Sequence, residues 1–375
     1  MHRKSHIAVL CGGQSAEHEV SIESAKNIVQ ALDKNRYEIA VIFVTRQGEW
    51  IWLDSNATLL NNPHMQPLSE PVAGKRLFLR LGSNQPLVAY ENQQLLECVV
   101  DVVFPVLHGA HGEDGTLQGL LELLNIPYVG PGTLGSAVCM DKEFSKHLLA
   151  SAGIPVSKWI VISRDGNPQL TFATAVEQLG LPLFVKPANT GSSVGVSKVR
   201  TAEEFTEALE LAWQYDHKII IEECILGREV ECAVLGNYQV EASLPGEIIP
   251  HHEFYSYEAK YLDPDGATLK IPADLEPEVI ANIQSVAKKA FAVLGCAGMA
   301  RVDFFLTPNN QVYVNEANTL PGFTQISMYP KMWMASGLSY SDLIDQLINL
   351  AIERFAHDRI LVNQPNRSEQ KADLT

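Results

Sequence analysis

The sequence predicts an α/β protein in which an open parallel-sheet domain is followed by two further α/β units. Three observations carry this expectation. HIAVLCGG, the helical period of SAEHEVSIESAKNIVQALDKN and the apolar YEIAVIFVT make a βαβ unit near the N-terminus. LPLFVKP and VSKV, strand-like segments on either side of a glycine-rich turn, mark a second unit, and RVDFFLTPNNQVYVNEAN reads as a hairpin in a third. The chain has 375 residues and 46% hydrophobic content, enough for two or three cores.

The first domain is expected over residues 1–137. After its βαβ unit come a polar, hairpin-like region, the run VVDVVFPVLHG and a helix over GTLQGLLELLNI. Ligands of such a sheet sit at the C-terminal strand ends, where Ser15, Glu17 and His108 fall. A central unit, 138–235, takes the helix from Asp141, the strand KWIVIS, the helix ATAVEQLG, the two strands around NTGSSVG, a helix from Thr201 and the strand KIIIEE. The C-terminal unit, 236–362, holds the polar loop HHEFYSYEAKYLDPDG, a helix from Pro277, the RVDFFL hairpin and a last helix from about Tyr340; the tail 363–375 reads as disordered.

Composition narrows the functions. A net charge of −16 argues against a nucleic-acid surface, which needs clustered Lys and Arg. The six cysteines show neither CxxC pairs nor metal spacing and read as thiols of a reducing compartment. No run is long enough for a membrane span, and the apolar run before Gly12-Gly13 is too short for a signal peptide, so the expected location is the cytoplasm.

Four motifs bear on chemistry. GPGTLG matches a dinucleotide fingerprint, but Ser151 and Ala152, about 20 residues on, supply no acid for a ribose. NTGSSVG lies between two strands and so is a hairpin flap rather than a P-loop; Gly191 and Gly195 let the backbone turn, Ser192 and Ser193 can hold phosphate oxygens, and Lys186 supplies charge. An ordinary polar hairpin is the alternative. In KIIIEECILGREVE the apolar strand ends in acids, which are either solvated or placed to read a nucleotide.

The fourth motif is the hairpin. Folding it about Asn309-Asn310 puts Asp303 opposite Glu316 and Arg301 opposite Asn318 on one face, and along the second strand Glu316 and Asn318 continue the face of Val312 and Val314. Opposed carboxylates repel unless a cation lies between them. Oxygen ligands without His or Cys suit Mg²⁺, with Arg301 alone as the competing neutraliser.

A lysine before a Gly-Ser flap, an acidic strand end and an Asp…Glu-x-Asn hairpin together resemble the ATP-grasp superfamily. GGQSAEHEVS, HGAHGEDGTLQG, MDK, VKPANTGSSVGVS, EAKY and NEANTLPGFTQISMYP look like the D-alanine:D-alanine ligase family over nearly the whole chain. The implied fold is an ATP-grasp unit preceded by a Rossmann-like domain. The resemblance implies that Lys142, Lys186 and Lys260 meet ATP phosphates under Ser192 and Ser193, that Glu222, the backbone at Glu223 and Ile225, and Glu229 hold adenine and ribose, and that Asp303, Glu316 and Asn318 ligate two Mg²⁺, with Mn²⁺ as a substitute. It places the ammonium of a first D-alanine on Glu17 with His108 near its carboxylate, and the second carboxylate at Ser327 and Met328. Arg301 and the Gly322 amide would stabilise an oxyanion, and Tyr261 would link Ser192 to Glu17. Cys224 departs from the aromatic residue many relatives carry near adenine. The family further suggests a homodimer. D-alanine:D-lactate ligation, another carboxylate-amine ligation and a regulatory protein without turnover are the rival expectations; Tyr261 matches the dipeptide-forming type.

Overall fold

The computed structural model describes residues 3–64, 66–69, 71–91, 94–164, 170–251 and 266–360. Its first sheet has seven strands: β1 (Ser5–Gly12), β2 (Tyr37–Val44), β3 (Trp50–Leu53), β4 (Gly74–Leu79), β5 (Leu87–Glu91), β6 (Gln94–Glu97) and β7 (Val102–Pro105), in the order β6-β5-β4-β3-β2-β1-β7. β1 runs parallel to β2 and β7, as the βαβ unit requires. The other pairings are antiparallel. The polar hairpin-like region therefore supplies four more strands of the same sheet, and its weak apolar signal follows from antiparallel strands that keep one face in water. The crossover helix His18–Ala31 buries Ile22, Ala25, Ile28 and Val29, a helical spacing, and so covers the parallel strands.

The second sheet is fully antiparallel: β8 (Trp159–Ser163), β9 (Leu183–Pro187), β10 (Ser197–Val199) and β11 (Lys218–Glu223), ordered β10-β9-β11-β8. β9 and β10 flank the 188–196 loop, so the Gly-Ser segment joins strand to strand. The helices Phe172–Leu179 and Ala202–Ala212 share a core with this sheet through Ala175, Leu179, Phe205 and Ala208, and the second carries a Thr201/Glu204 capping box.

The third sheet contains β12 (Arg228–Gly236), β13 (Glu241–Ala242), β14 (Gly246–Pro250), β15 (Ala267–Lys270), β16 (Gly298–Leu306) and β17 (Val312–Asn318), ordered β15-β14-β12-β16-β17 with β13 beside β12. The expected division after residue 235 is corrected here. KIIIEECILGREVE is two strands of two sheets, because the chain leaves the second sheet at Glu223 and enters the third at Arg228.

Across β16 and β17, Asp303 faces Glu316 and Arg301 faces Asn318, the expected pairs, but beside the turn Leu306 pairs with Val312 and Phe304 with Val314, a register centred on Asn309 rather than between Asn309 and Asn310; Asn310 takes a positive φ of 61°. The face expectation does not hold. Register shifts between Asp303 and Phe304, which pairs with Val314, and Asn315 is the extra residue of a bulge. Val312 and Val314 pack into the core with Ala317, while Glu316 and Asn318 turn to the opposite side and line a cleft. The bulge thus ends the inward face and redirects the two polar residues.

One core joins the first sheet to the third: Ile7, Val9, Val41 and Phe104 cluster with Leu320, Phe323 and Tyr329 and with the helices Met328–Ala335 and Tyr340–Asp358. Phe104 and Phe323 meet edge to face at 5.8 Å between centroids. No described helix is long and apolar enough to cross a membrane.

Candidate active site

The cleft lies where the three sheets meet. From the first come Glu17, at the start of the helix His18–Ala31, and the loop after β7 with His108 and Glu113; from the flap come Gly191 and Ser192; from the third sheet come Glu229, Glu231, Arg301, Asp303, Glu316 and Asn318. Ser192 donates its hydroxyl to Glu17, so the flap touches the N-terminal residue the sequence paired it with. Ser192 and Ser193 both have positive φ, 50° and 59°, a backbone that turns successive N–H groups toward one side.

His108 is buried, and its Nδ1 lies 2.9 Å from the Leu320 carbonyl, which can only accept; Nδ1 therefore carries the proton. Burial lowers the imidazole pKa, with Glu17 opposing, and Nε2 has no hydrogen-bond partner among the described residues. Glu113 accepts from the Gly109 amide at 2.7 Å and the Leu320 amide at 3.1 Å. Burial and then the charge of Glu17 push its carboxyl pKa up to about 8.

On the hairpin, Arg301 grips Asp303 with two bonds of 2.7 Å and reaches Glu231 at 3.0 Å. Glu231 sits opposite Asp303 on β12. Burial disfavours the guanidinium charge, but Asp303, Glu231 and Glu316 outweigh it and raise the pKa. Asn318 donates to Asp303 at 3.0 Å, and Lys142 stands 3.5 Å from Glu316. Two carboxylates and an amide on one strand pair are oxygen donors fit for a hard cation. Among the described residues no cluster of three or more His, Cys, Asp or Glu has metal-holding geometry, so any ion here must complete its shell with substrate and water.

At the other end, Lys186 on β9 lies 2.9 Å from Glu222 on β11. Lys146, fully buried in the helix Lys142–Ser151, contacts the same carboxylate at 3.2 Å and donates to Ser157 at 2.8 Å. Burial would raise the Glu222 pKa, but the two lysines lower it; Lys146 is itself lowered by burial and by Lys186. Glu222 is therefore an ion-pair hub between lysines. Asp141 caps this helix by accepting from Glu143 and Phe144, which fixes Lys142 at its first turn. The Glu223 amide donates to Lys158 and its carboxylate accepts from the Lys158 amide; Cys224 and Ile225 follow, half-buried.

Ser327 begins the helix Met328–Ala335, whose first amides suit a carboxylate. A side chain at Gly322 would come within 2.7 Å of the Ser327 hydroxyl, so glycine keeps this turn open. Lys260, Tyr261 and the lid expected around them lie outside the described residues, as does the tail beyond 360.

Sequence reasoning missed Glu113, Lys146 and Glu231. Glu231 had a signal: it alternates with Glu229 on an apolar strand. Glu113 and Lys146 had none, because a single acid in a loop and a single lysine on a helix acquire meaning only from their tertiary partners.

Comparison with known proteins bears on the same residues. The family model described as "D-ala D-ala ligase N-terminus" matches residues 6–131 and "D-ala D-ala ligase C-terminus" matches 148–349. A D-alanine--D-alanine ligase of Shouchella clausii is 52% identical over 360 residues, covering 96% of this chain and 97% of that protein. The structure of the D-alanine-D-alanine ligase from Coxiella burnetii superposes with a TM-score of 0.86 at 45% identity, over 99% of each chain. The D-alanine--D-alanine ligase from Bacillus anthracis, solved with ATP, gives 0.70 at 29% identity over 94% of this chain and 99% of that one. The three-sheet architecture and the cleft between the sheets are those of an ATP-grasp protein, and the chain belongs to the D-alanine–D-alanine ligase family.

Proposed function

We propose that the protein joins two D-alanine molecules at the expense of ATP, releasing D-alanyl-D-alanine, ADP and phosphate for peptidoglycan precursor synthesis. The observation that carries this reading is the convergence of Glu17, the Ser192 flap and the Arg301–Asp303–Glu316–Asn318 face on one cleft. Glu17 takes the ammonium of the first D-alanine. His108, its Nδ1–H fixed on Leu320, binds the carboxylate once Nε2 is protonated. Lys142 and Lys186 hold the ATP phosphates under Ser192 and Ser193, and the family resemblance assigns Lys260, outside the described residues, to the same phosphates. Glu222 orients Lys186 while the backbone at Glu223 and Ile225 reads adenine and Glu229 holds ribose.

The first carboxylate attacks the γ-phosphorus and ADP leaves, giving an acyl phosphate. The second amine, placed by Ser327 and Met328, attacks the activated carbonyl; Arg301 and the Gly322 amide meet the oxyanion, and phosphate departs. Asp303, Glu316 and Asn318 would hold two Mg²⁺, or Mn²⁺, which when bound offset phosphate charge. By the family resemblance Tyr261, which lies outside the described residues, would link Ser192 to Glu17, and a closed site would exclude water from the acyl phosphate. The working form is a cytoplasmic homodimer.

The test is ADP release from Mg-ATP with D-alanine, with L-alanine, and with D-alanine plus D-lactate, products identified by mass. D-alanine-dependent ADP with the dipeptide supports the reading; a depsipeptide moves specificity to D-lactate. No amino-acid-dependent ADP from ATP-binding protein rejects it.

A further inference from the structure

The loop of residues 108–113 holds both backbone groups of Leu320: Glu113 accepts its N–H and His108 donates to its C=O. Glu113 ties the same point to its own loop through Gly109, whose φ is +71° and whose added Cβ would lie 3.0 Å from Glu17. The loop is stiff in turn. Asp114 accepts from His111 and Thr116, and the buried Gln118 donates to the Gly112 carbonyl. Leu320 leads directly into Pro321-Gly322, and the Phe323 amide is pinned on Ser24 at 3.1 Å. One carboxyl thus spans the two halves of the cleft, between the residues that meet the first amino acid and the turn beside Arg301.

We propose that Glu113 is a positioning residue which, by accepting the Gly109 and Leu320 amides together, fixes the Gly322 turn against the first-substrate loop and couples acyl-phosphate formation to peptide-bond formation. The proposal rests on the ligase reading. It names a step that goes wrong when the clamp loosens. Water in place of the second amine attacks the acyl carbon, the carbon–oxygen bond to phosphate breaks, the water protons pass to solvent and phosphate, and the sum is ATP plus water giving ADP plus phosphate.

Glu113→Gln tests this, because an amide offers only one acceptor oxygen and turns an N–H toward one of the two donors. The ratio of ADP to dipeptide should rise from one to above two. The KM for D-alanine should increase about tenfold while that for ATP stays within about twofold, and kcat/KM should fall by roughly 10²-fold, the scale of a small misplacement. The ratio does not depend on how much variant is folded. Glu113→Ala should give a higher ratio still, and Glu113→Asp one nearer wild type. A ratio of one in Gln and Ala variants, with the two KM values unchanged, overturns the proposal. Amide exchange separates it from the ligase reading: Gly109 and Leu320 should exchange at least tenfold faster in the Ala variant whatever the substrate is. Unchanged exchange at both sites refutes the clamp; a wild type that releases no ADP with D-alanine refutes the ligase reading and with it the coupling.

Discussion

Glu222 shows how a residue's role follows from its partners. With Lys146 and Lys186 on it in a dry site, Glu222→Gln leaves two ammonium groups facing no carboxylate, and a loss of about 3–5 kcal/mol is expected in denaturant unfolding at neutral pH. Because its folded pKa is lowered, the stability it contributes is present above its ordinary value of 4.5 and lost as pH falls through the folded value. Glu113 has the opposite sign. Its folded pKa is raised, so the folded state binds more protons than the unfolded one between about 4.5 and 8. That stability is present below the lower value and lost as pH rises through the upper; Tm of Glu113→Gln should fall less than wild type between pH 6 and 9. At the hairpin, Asp303→Asn should cut Mg²⁺-dependent turnover at least 10²-fold while circular dichroism stays that of wild type, since Arg301 keeps Glu231 as a partner.

At the scale of elements, the hairpin shows what was legible and what was not. The turn at two asparagines follows from their tolerance of positive φ, although the register beside it is centred on Asn309 and Asp303 meets Glu316 only with the extra residue of the bulge. The bulge at Asn315 does not, because no residue type in QVYVNEAN forces an extra position; it arises where Ala317 fills a core slot with Val314 and Val312. Deleting Asn315 should therefore keep the strand pair and, because Glu316 then follows Val314 directly, leave Glu316 on the cleft face opposite Asp303. The expected result is a folded protein that keeps Mg²⁺-dependent ADP formation within about tenfold of wild type, checked by turnover against circular dichroism. The flap was legible as strand-to-strand because strand-like residues lie on both its sides, whereas the sheet membership of β12 was hidden by the continuous run through CILG.

At the scale of the molecule, the first and third sheets share one core and the second has its own. A fragment ending at residue 131 would bare Phe104, Val106 and Val129, which pack with Leu320, Phe323 and the helix Tyr340–Asp358, and should not give a cooperative melt alone. Amides of β9 and β11 should exchange at lower denaturant than those of β1 and β16, and equal protection would count against separate cores. The flap's unit thus meets the rest of the molecule through polar contacts, such as Ser192 with Glu17 and Lys218 with Asp141, rather than through a shared apolar core.

The Glu17–Ser192 bond is a contact through which the flap meets the first domain's edge of the cleft. If Glu17 takes the ammonium of an amino acid, as proposed, that ligand and the flap hydroxyl meet the same carboxylate, and loading the amino-acid pocket is linked to the position of the flap. Whatever factor nucleotide applies to amino-acid affinity, the amino acid must return to nucleotide affinity. A serine on a loop thereby makes each half of the cleft a reporter of the other's occupancy.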